Sequence, residues 1–293
     1  MNITKQSYKL YKKIKDPKFN IESLEHYNLS VSLGVRDFQV FVVDVKNRRP
    51  LLLEDFIFDK THSVNHRIEI LEHIYENHHL LSAGFWNNVS VIVKNKFFSL
   101  VPLELFSKSF CSSYLSLNTE FDESEVNIHS IAHKNMGFAN VFCTHKAVDA
   151  FFEPKYANKK VKYIHQCSSL INGANSIFSK EGDVVVLFLE RGFFHIMVFK
   201  AGKFYYYNQF TVSKIEDYLR FTKLVAAEVN LKIESDKFIV SGFIGKNTPH
   251  FDFLKKHIKN ISLHERPKYF KYGYVFDEVA EHQYFDIYSL YSH

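Results

Sequence analysis

The chain is poor in the residues that staple or punctuate a fold. Its 293 residues include only 3 cysteines, 6 prolines, 10 glycines and 1 tryptophan. Cys111, Cys143 and Cys167 are odd in number and far apart, with no CxxC. A disulfide framework and a zinc knuckle are therefore not expected. The three read as buried thiols of a reducing cytosol. No apolar run reaches the ~18 residues of a membrane-spanning helix. The start, MNITKQSYKLYKKIKDPKF, is basic but has no apolar core, so a secretory signal is not expected and a cytoplasmic location is. Charge imbalance is small too. The 37 basic and 32 acidic residues leave a net charge of +5, too little to imply nucleic acid by itself. HExxH is missing. SGFIG at 241–245 has its serine before the glycines, so it is no nucleophile elbow.

What is abundant is material for a core. Apolar residues make up 46% of the chain, with 30 Phe and 17 Tyr. At ~100–200 residues per domain, the length suggests two domains. The polar, proline-containing stretch Glu153–Lys160, EPKYANKK, is the expected boundary, giving domains over 1–155 and 156–293. The last helix is expected to pack back on the first domain. Residues 3–15 place Ile3, Leu10, Tyr11 and Ile14 near one helical face among lysines, which predicts a basic amphipathic arm packed on its own domain.

Leu29–Phe58 predicts three antiparallel strands joined by turns at Gly34–Asp37 and Asn47–Pro50. Ser63 is a fitting N-cap for a helix over 64–79, with Val64, Ile68, Leu71 and Tyr75 inward. A fourth strand is expected over 87–94, extended by a hairpin into 97–101. A helix over 103–117 follows, then strands over 126–133 and 138–143 and a helix capped by Thr144. Strand 161–167 and helix 168–179 lead into Asp183–Phe210, a second three-strand unit with turns at Arg191–Gly192 and Ala201–Gly202. Ser213 and Glu216 predict a capping box. A strand over 237–241, a helix opened by Thr248–Pro249, a strand near 261–264 and a helix over 278–290 complete the chain.

Each half thus reads strand–strand–strand–helix–strand–helix–strand. That order resembles the ribonuclease-H-like unit, and two in tandem resemble the actin-like ATPase superfamily, an α/β architecture with mixed sheets. In element order the chain looks most like the pilus-assembly and cell-division actin homologues. The segments FDEVAEHQYFDIYSLY and NKFFSLVPLELF are similar to an uncharacterised Bacteroidetes family with this fold.

The resemblance implies where a nucleotide would sit. The first D-x-G phosphate motif falls on Ser32–Leu33–Gly34, which keeps the glycine and loses the acid that organises Mg²⁺. The second falls on Phe188–Leu189–Glu190, where an aromatic ring replaces the acid and a carboxylate the glycine. Glu190 would repel a triphosphate. The adenosine motif falls on Ser241–Gly242–Phe243–Ile244–Gly245, with Lys246 at a helix start. A plain strand-to-helix turn is the competing reading of that stretch. The expectation is a degenerate nucleotide site on a non-catalytic interaction module, with a protein partner, no cofactor, and a homodimer left open. The alternative is a divergent ATP-binding protein or kinase using an interdomain cleft, with Mg²⁺, Gly34, Gly242, Gly245 and Lys246, and Asp37 or Glu190 as acids.

A two-metal nuclease would need acids at Ser32 or Phe188 and is disfavoured. Nucleic-acid binding would need Lys246, Lys255, Lys256, Lys259, Lys268 and Lys271 in one patch. GFIG matches a bare GXXG but lacks the surrounding elements of a KH domain. His62, His66, His73, His78 and His79 are expected on a solvated polar helix face rather than on a metal. Phe204–Tyr207 should alternate between core and surface, with the outward rings free to anchor a protein or stack bases.

Overall fold

The computed structural model describes residues 7–292. The chain divides into two compact units. Met1–Ser168 with Phe270–Phe276 form the first, and Ser169–Tyr269 with Asp277–His293 the second. The chain passes from one to the other inside a helix, not within Glu153–Lys160. The segment that returns to the first unit is 270–276, while the last helical turns belong to the second.

The first unit holds β1 (Tyr8–Lys15), β2 (Tyr27–Leu33), β3 (Asp37–Asp44), β4 (Arg49–Phe58), α1 (Val64–Asn77), β5 (Asn88–Val93), β6 (Phe98–Pro102), α2 (Cys111–Ser116), β7 (Val126–His133), β8 (Phe138–His145), α3 (Lys146–Lys155) and β9 (Lys162–His165). Its main sheet runs β1-β4-β3-β2-β5-β9. The hairpin strands are antiparallel, and β2, β5 and β9 are parallel. Val- and Phe-rich strands bury one face under α1, whose Leu71 and Tyr75 join the core and whose Ser63 cap accepts from the His66 amide.

Three expectations fail in this unit. The amphipathic arm is not helical: Tyr8–Lys15 is an edge strand paired antiparallel to β4. Lysines alternate with Tyr8, Leu10 and Ile14 there, and lysine is a common guard of sheet edges. Ile3 and Lys5 of that expected arm lie outside the described residues. Second, Phe98–Pro102 does not extend β5. The Asn95 side chain bonds the Cys143 carbonyl and accepts from the Phe97 amide, turning the chain into a separate sheet ordered β6-β8-β7. Third, the helix expected over 103–117 breaks into two 3₁₀ turns, Leu103–Leu105 and Lys108–Phe110, before the short α2. Its serines hold a helix weakly. The cap of α3 also differs. His145 Nδ1 accepts the Ala147 amide, and Thr144 bonds Asp149 instead.

α4 (Gln166–Phe178) leads into the second unit, which holds β10 (Val184–Leu189), β11 (Phe193–Lys200), β12 (Lys203–Thr211), α5 (Ile215–Glu228), β13 (Lys237–Gly242), α6 (Pro249–His257), β14 (Ile261–Leu263) and α7 (Phe285–Tyr288). Its sheet runs β12-β11-β10-β13-β14. This repeats β4-β3-β2-β5-β9 strand for strand, in order and in direction. The acid that caps α5 is Asp217, not Glu216. Its carboxylate accepts the Ser213 and Lys214 amides, which holds it below the usual carboxylate range. The helix expected over 278–290 is interrupted by Tyr284, whose φ of 57° is left-handed.

Candidate functional site

In a sheet of this kind ligands bind beyond the carboxyl ends of the parallel strands. Each unit builds such an end from a tight hairpin turn and the neighbouring parallel strand. In the first, Ser32 pairs with Gln39 and Leu33 with Phe38, and the Gly34 amide donates to the Asp37 carbonyl at 2.9 Å. In the second, Phe188 pairs with His195 and Leu189 with Phe194, and the Glu190 amide donates to the Phe193 carbonyl at 2.9 Å. The hydrogen-bonding register makes Ser32 equivalent to Phe188 and Gly34 to Glu190. The parallel neighbours extend the equivalence. Lys94 donates its amide to Leu33, and Phe243 donates to Leu189. Lys94 and Phe243 are therefore counterparts.

At the first turn, Ser32, Asp37, Gln39 and Lys94 are all buried. The Lys94 ammonium lies 3.3 Å from Asp37 Oδ1 and 3.3 Å from Gln39 Oε1. The Ser32 hydroxyl and the Gln39 amide nitrogen have no hydrogen-bond partner among the described residues. A Cβ on Gly34 would stand 2.6 Å from Asp37 Oδ1. The space left by the missing side chain is thus filled by the carboxylate of its own turn. Beside it, His165 Nδ1 accepts the Cys167 amide, so Nε2 carries the proton and donates to the Asn95 carbonyl at 3.1 Å.

At the second turn, His195 joins two groups in a buried chain. Its Nδ1 meets the Tyr207 hydroxyl at 2.7 Å and its Nε2 meets Glu190 Oε2 at 3.3 Å. Phe188 is fully buried and packs edge-on to the His195 ring at 5.5 Å. The turn after β13 is held from two sides. Gly242 has φ 95°, and a Cβ there would meet the Leu189 carbonyl oxygen at 2.1 Å. The Gly242 amide and Ser241 hydroxyl both donate to the His282 carbonyl, and His282 Nε2 donates to the Ile244 carbonyl. Burial pushes the His282 pKa down. Phe243 lies between the Arg191 guanidinium, 4.0 Å from its ring centre, and Tyr284, edge-on at 5.4 Å. Lys246 is exposed, and Gly245 accepts the Thr248 hydroxyl.

Within the first unit Ser32, Gly34 and Asp37 come together. Within the second, Phe188 and Glu190 sit beside the 241–245 turn. Lys94, Gln39 and His195 are not among the residues the sequence points to, and Tyr207 figures there only in an aromatic run. The signal for Lys94 is a lysine closing the apolar strand NVSVIVK. Of the six lysines proposed as a nucleic-acid patch, Lys271 belongs to the first unit and the others to the second. The histidine face is not simply solvated. His73 Nδ1 accepts the Tyr8 hydroxyl and His78 pairs with buried Glu54 at 2.6 Å, because β1 and β4 run beneath α1. Among the described residues no group of three His, Cys, Asp or Glu side chains could hold a metal ion.

The first unit also carries a cavity of about 1190 Å³ that no sequence motif announced. It lies between β7 and the chain entering β9. Of its lining residues, His129 is tied into a polar network. The Thr144 hydroxyl and Asn127 amide donate to Asp149 Oδ2, and His129 Nε2 donates to Thr144 Oγ1 at 2.8 Å. The His129 ring packs on Phe142 and Tyr163, with centroids 5.2 and 5.1 Å away. Burial pushes the His129 pKa down and the Cys111 and Tyr163 pKa values up.

Two units with this repeated strand order define an actin-like ATPase fold. A Bacteroides thetaiotaomicron protein with an actin-like ATPase fold and unknown function matches it with a TM-score of 0.79 at 18% identity, over 94% of this chain and 99% of that one. A chain of the PilM–PilN type IV pilus biogenesis complex matches with a TM-score of 0.59 at 12% identity, over 90% of this chain and 98% of that one. The chain belongs to the DUF3822 family, described as a protein of unknown function, whose profile matches residues 16–261. No curated protein matches it.

Proposed function

We propose that the chain is a non-catalytic, cytoplasmic protein-interaction module that keeps the actin-like fold around a degenerate nucleotide site. One observation carries this reading. At Gly34, the glycine the first phosphate motif retains, the Asp37 carboxylate and Lys94 take up the room a missing side chain leaves for phosphate. An internal ion pair stands where the motif needs an acid free to hold Mg²⁺. The second unit supports the same reading. Phe188 replaces an acid inside the core, Glu190 is tied to His195, and Gly242 serves the close approach of Leu189. The likeness to PilM, a protein solved in complex with PilN, favours a protein partner. Among the described residues no helix is long and apolar enough to cross a membrane.

Thermal unfolding with and without millimolar Mg-ATP tests this. A ligand that binds only the folded chain stabilises it by about 2.7 kcal/mol at a hundredfold excess over Kd. The melting temperature should not move. Stabilisation that fits a Kd below about a millimolar would overturn the reading and favour a divergent ATP-binding protein.

A further inference from the structure

We propose that the cavity of the first unit is the docking groove for an extended acidic segment of a partner protein, which adds as a strand along the edge of β7 or β9. The inference rests on the interaction-module reading and names the chemistry of the partner.

The groove is bounded by two sheet edges. β7 ends the order β6-β8-β7, and β9 ends the order of the main sheet. Residues 128–131 and 159–163 line the groove as unbroken runs. Successive side chains of a strand point to opposite faces, so consecutive lining residues mean that the strand presents its edge. An open edge offers a row of backbone N–H and C=O groups to an added strand. Beyond their own sheets, residues 127–132 and 161–165 make no backbone–backbone hydrogen bond among the described residues.

Charge selects the occupant. Lys108, Lys159, Lys160 and Lys162 line the groove against the single acid Glu153, and all four lysines are exposed. Among the described residues none of them pairs with a carboxylate. An uncharged strand would leave this field unanswered and a basic one would be repelled. The His129 and Tyr163 rings, tilted 35° to each other with centroids 5.1 Å apart, give surface for alternate apolar side chains. The cavity is also larger than the ~300–1,000 Å³ of a small-molecule site.

The test uses the full chain and fluorescein-labelled peptide pools of about eight residues, enough to span either edge at ~3.3 Å per residue. One pool alternates Glu with Val, Ile, Phe or Tyr, and a matched pool alternates Lys with the same residues. Anisotropy should show saturable binding of the acidic pool only, weakened by salt. The triple variant Lys159→Glu, Lys160→Glu, Lys162→Glu, all exposed positions, should weaken it by about tenfold or more. N-methylating one alternate set of peptide amides should abolish binding while methylating the other set leaves it, since a strand uses one set to pair.

Equal binding of both pools, no binding of either, or equal tolerance of both methylation patterns would overturn the proposal. Displacement of the acidic pool by oligothymidylate, or closure of the groove in a dimer seen by light scattering, would assign it to nucleic acid or to a second copy instead. The same samples are melted with Mg-ATP. Lost peptide binding with an unmoved melting temperature removes the groove alone, whereas an ATP shift removes the underlying reading.

Discussion

The Lys94 ammonium lies 3.3 Å from the Asp37 carboxylate, and both side chains are buried. Two buried charges are tolerated only as a pair, and removing one partner of such a pair costs about 3–5 kcal/mol because the other is left uncompensated. Lys94→Met should therefore destabilise the chain by an amount of that order in urea unfolding. Adding Asp37→Asn removes the charge that Lys94 faced and should restore part of the loss. A double variant as unstable as Lys94→Met would show that lysine packing, not the pair, holds this turn.

The glycines should rank by what surrounds them. At Gly137, φ is +74° and nothing lies within 4 Å of an added Cβ, so Gly137→Ala should cost about 1 kcal/mol of backbone strain alone. At Gly34 a methyl would push Asp37 from Lys94, for about 1–3 kcal/mol. That cost should shrink in a Lys94→Met background, where there is no pair left to break. Gly242→Ala should be the worst of the three. It combines φ +95° with a rigid carbonyl 2.1 Å from the new carbon. Equal losses at Gly137 and Gly242 would mean that the Leu189 approach relaxes freely.

Acid should destabilise the protein in two steps. Burial between Phe178 and Phe285 pushes the His264 pKa down from 6.5 to about 4, with Glu265 opposing and His282 reinforcing the shift. Between those values the unfolded chain binds a proton that the folded chain refuses, so stability falls as pH falls and levels off below about 4. The difference amounts to about 3 kcal/mol. Burial raises the Glu54 pKa, but hydrogen bonds from His78 and Lys13 outweigh it and leave the net value lowered. Its contribution is present above the ordinary glutamate range and is lost as pH drops through the folded value. His264→Phe should flatten the upper step and leave the lower one. An unchanged slope between pH 7 and 5 would remove His264 as its source.

The strands and their order were legible because their signals are local and redundant. LSVSL, DFQVF and DVVVLFL carry alternation or β-branched runs, and Gly-containing turns set the hairpins. The separate three-stranded sheet was not legible, because one side chain, Asn95, diverts the chain and nothing in NKFFSLVP says so. The first edge strand is not legible as one, because YKLYKKIK fits both the helical and the strand period over so short a span. Of the candidate site the sequence offers Ser32, Gly34, Phe188 and Glu190 but not the side chains that surround them. Lys94 lies 57 residues from Asp37 and His195 lies 12 from Tyr207. Such partners meet only once the sheet has formed. The groove was invisible for the same reason, since β7 and the approach to β9 belong to different sheets.

Placing an acid at Ser32 or at Phe188 should be unequal in its cost, because the two equivalent positions differ in surroundings. Phe188 is fully buried in an apolar strand and packs on His195. Phe188→Asp would lose that packing and bury a carboxylate beside Glu190, a cost of about 4 kcal/mol or more. Ser32 is equally buried, but its cross-strand partner Gln39 already bonds the Lys94 ammonium. A carboxylate at Ser32→Asp would therefore enter within reach of a cation and offer an acceptor to the Gln39 amide, so the loss should be about 1–2 kcal/mol. On the proposed reading neither variant should gain Mg-ATP stabilisation, since Asp37 still fills the space at Gly34 and Glu190 still occupies the equivalent position of the second turn. Urea unfolding of both variants, with and without Mg-ATP, checks the order and the absence of a nucleotide effect together. A Ser32→Asp chain stabilised by Mg-ATP would mean that the loss of one acid alone had silenced the site.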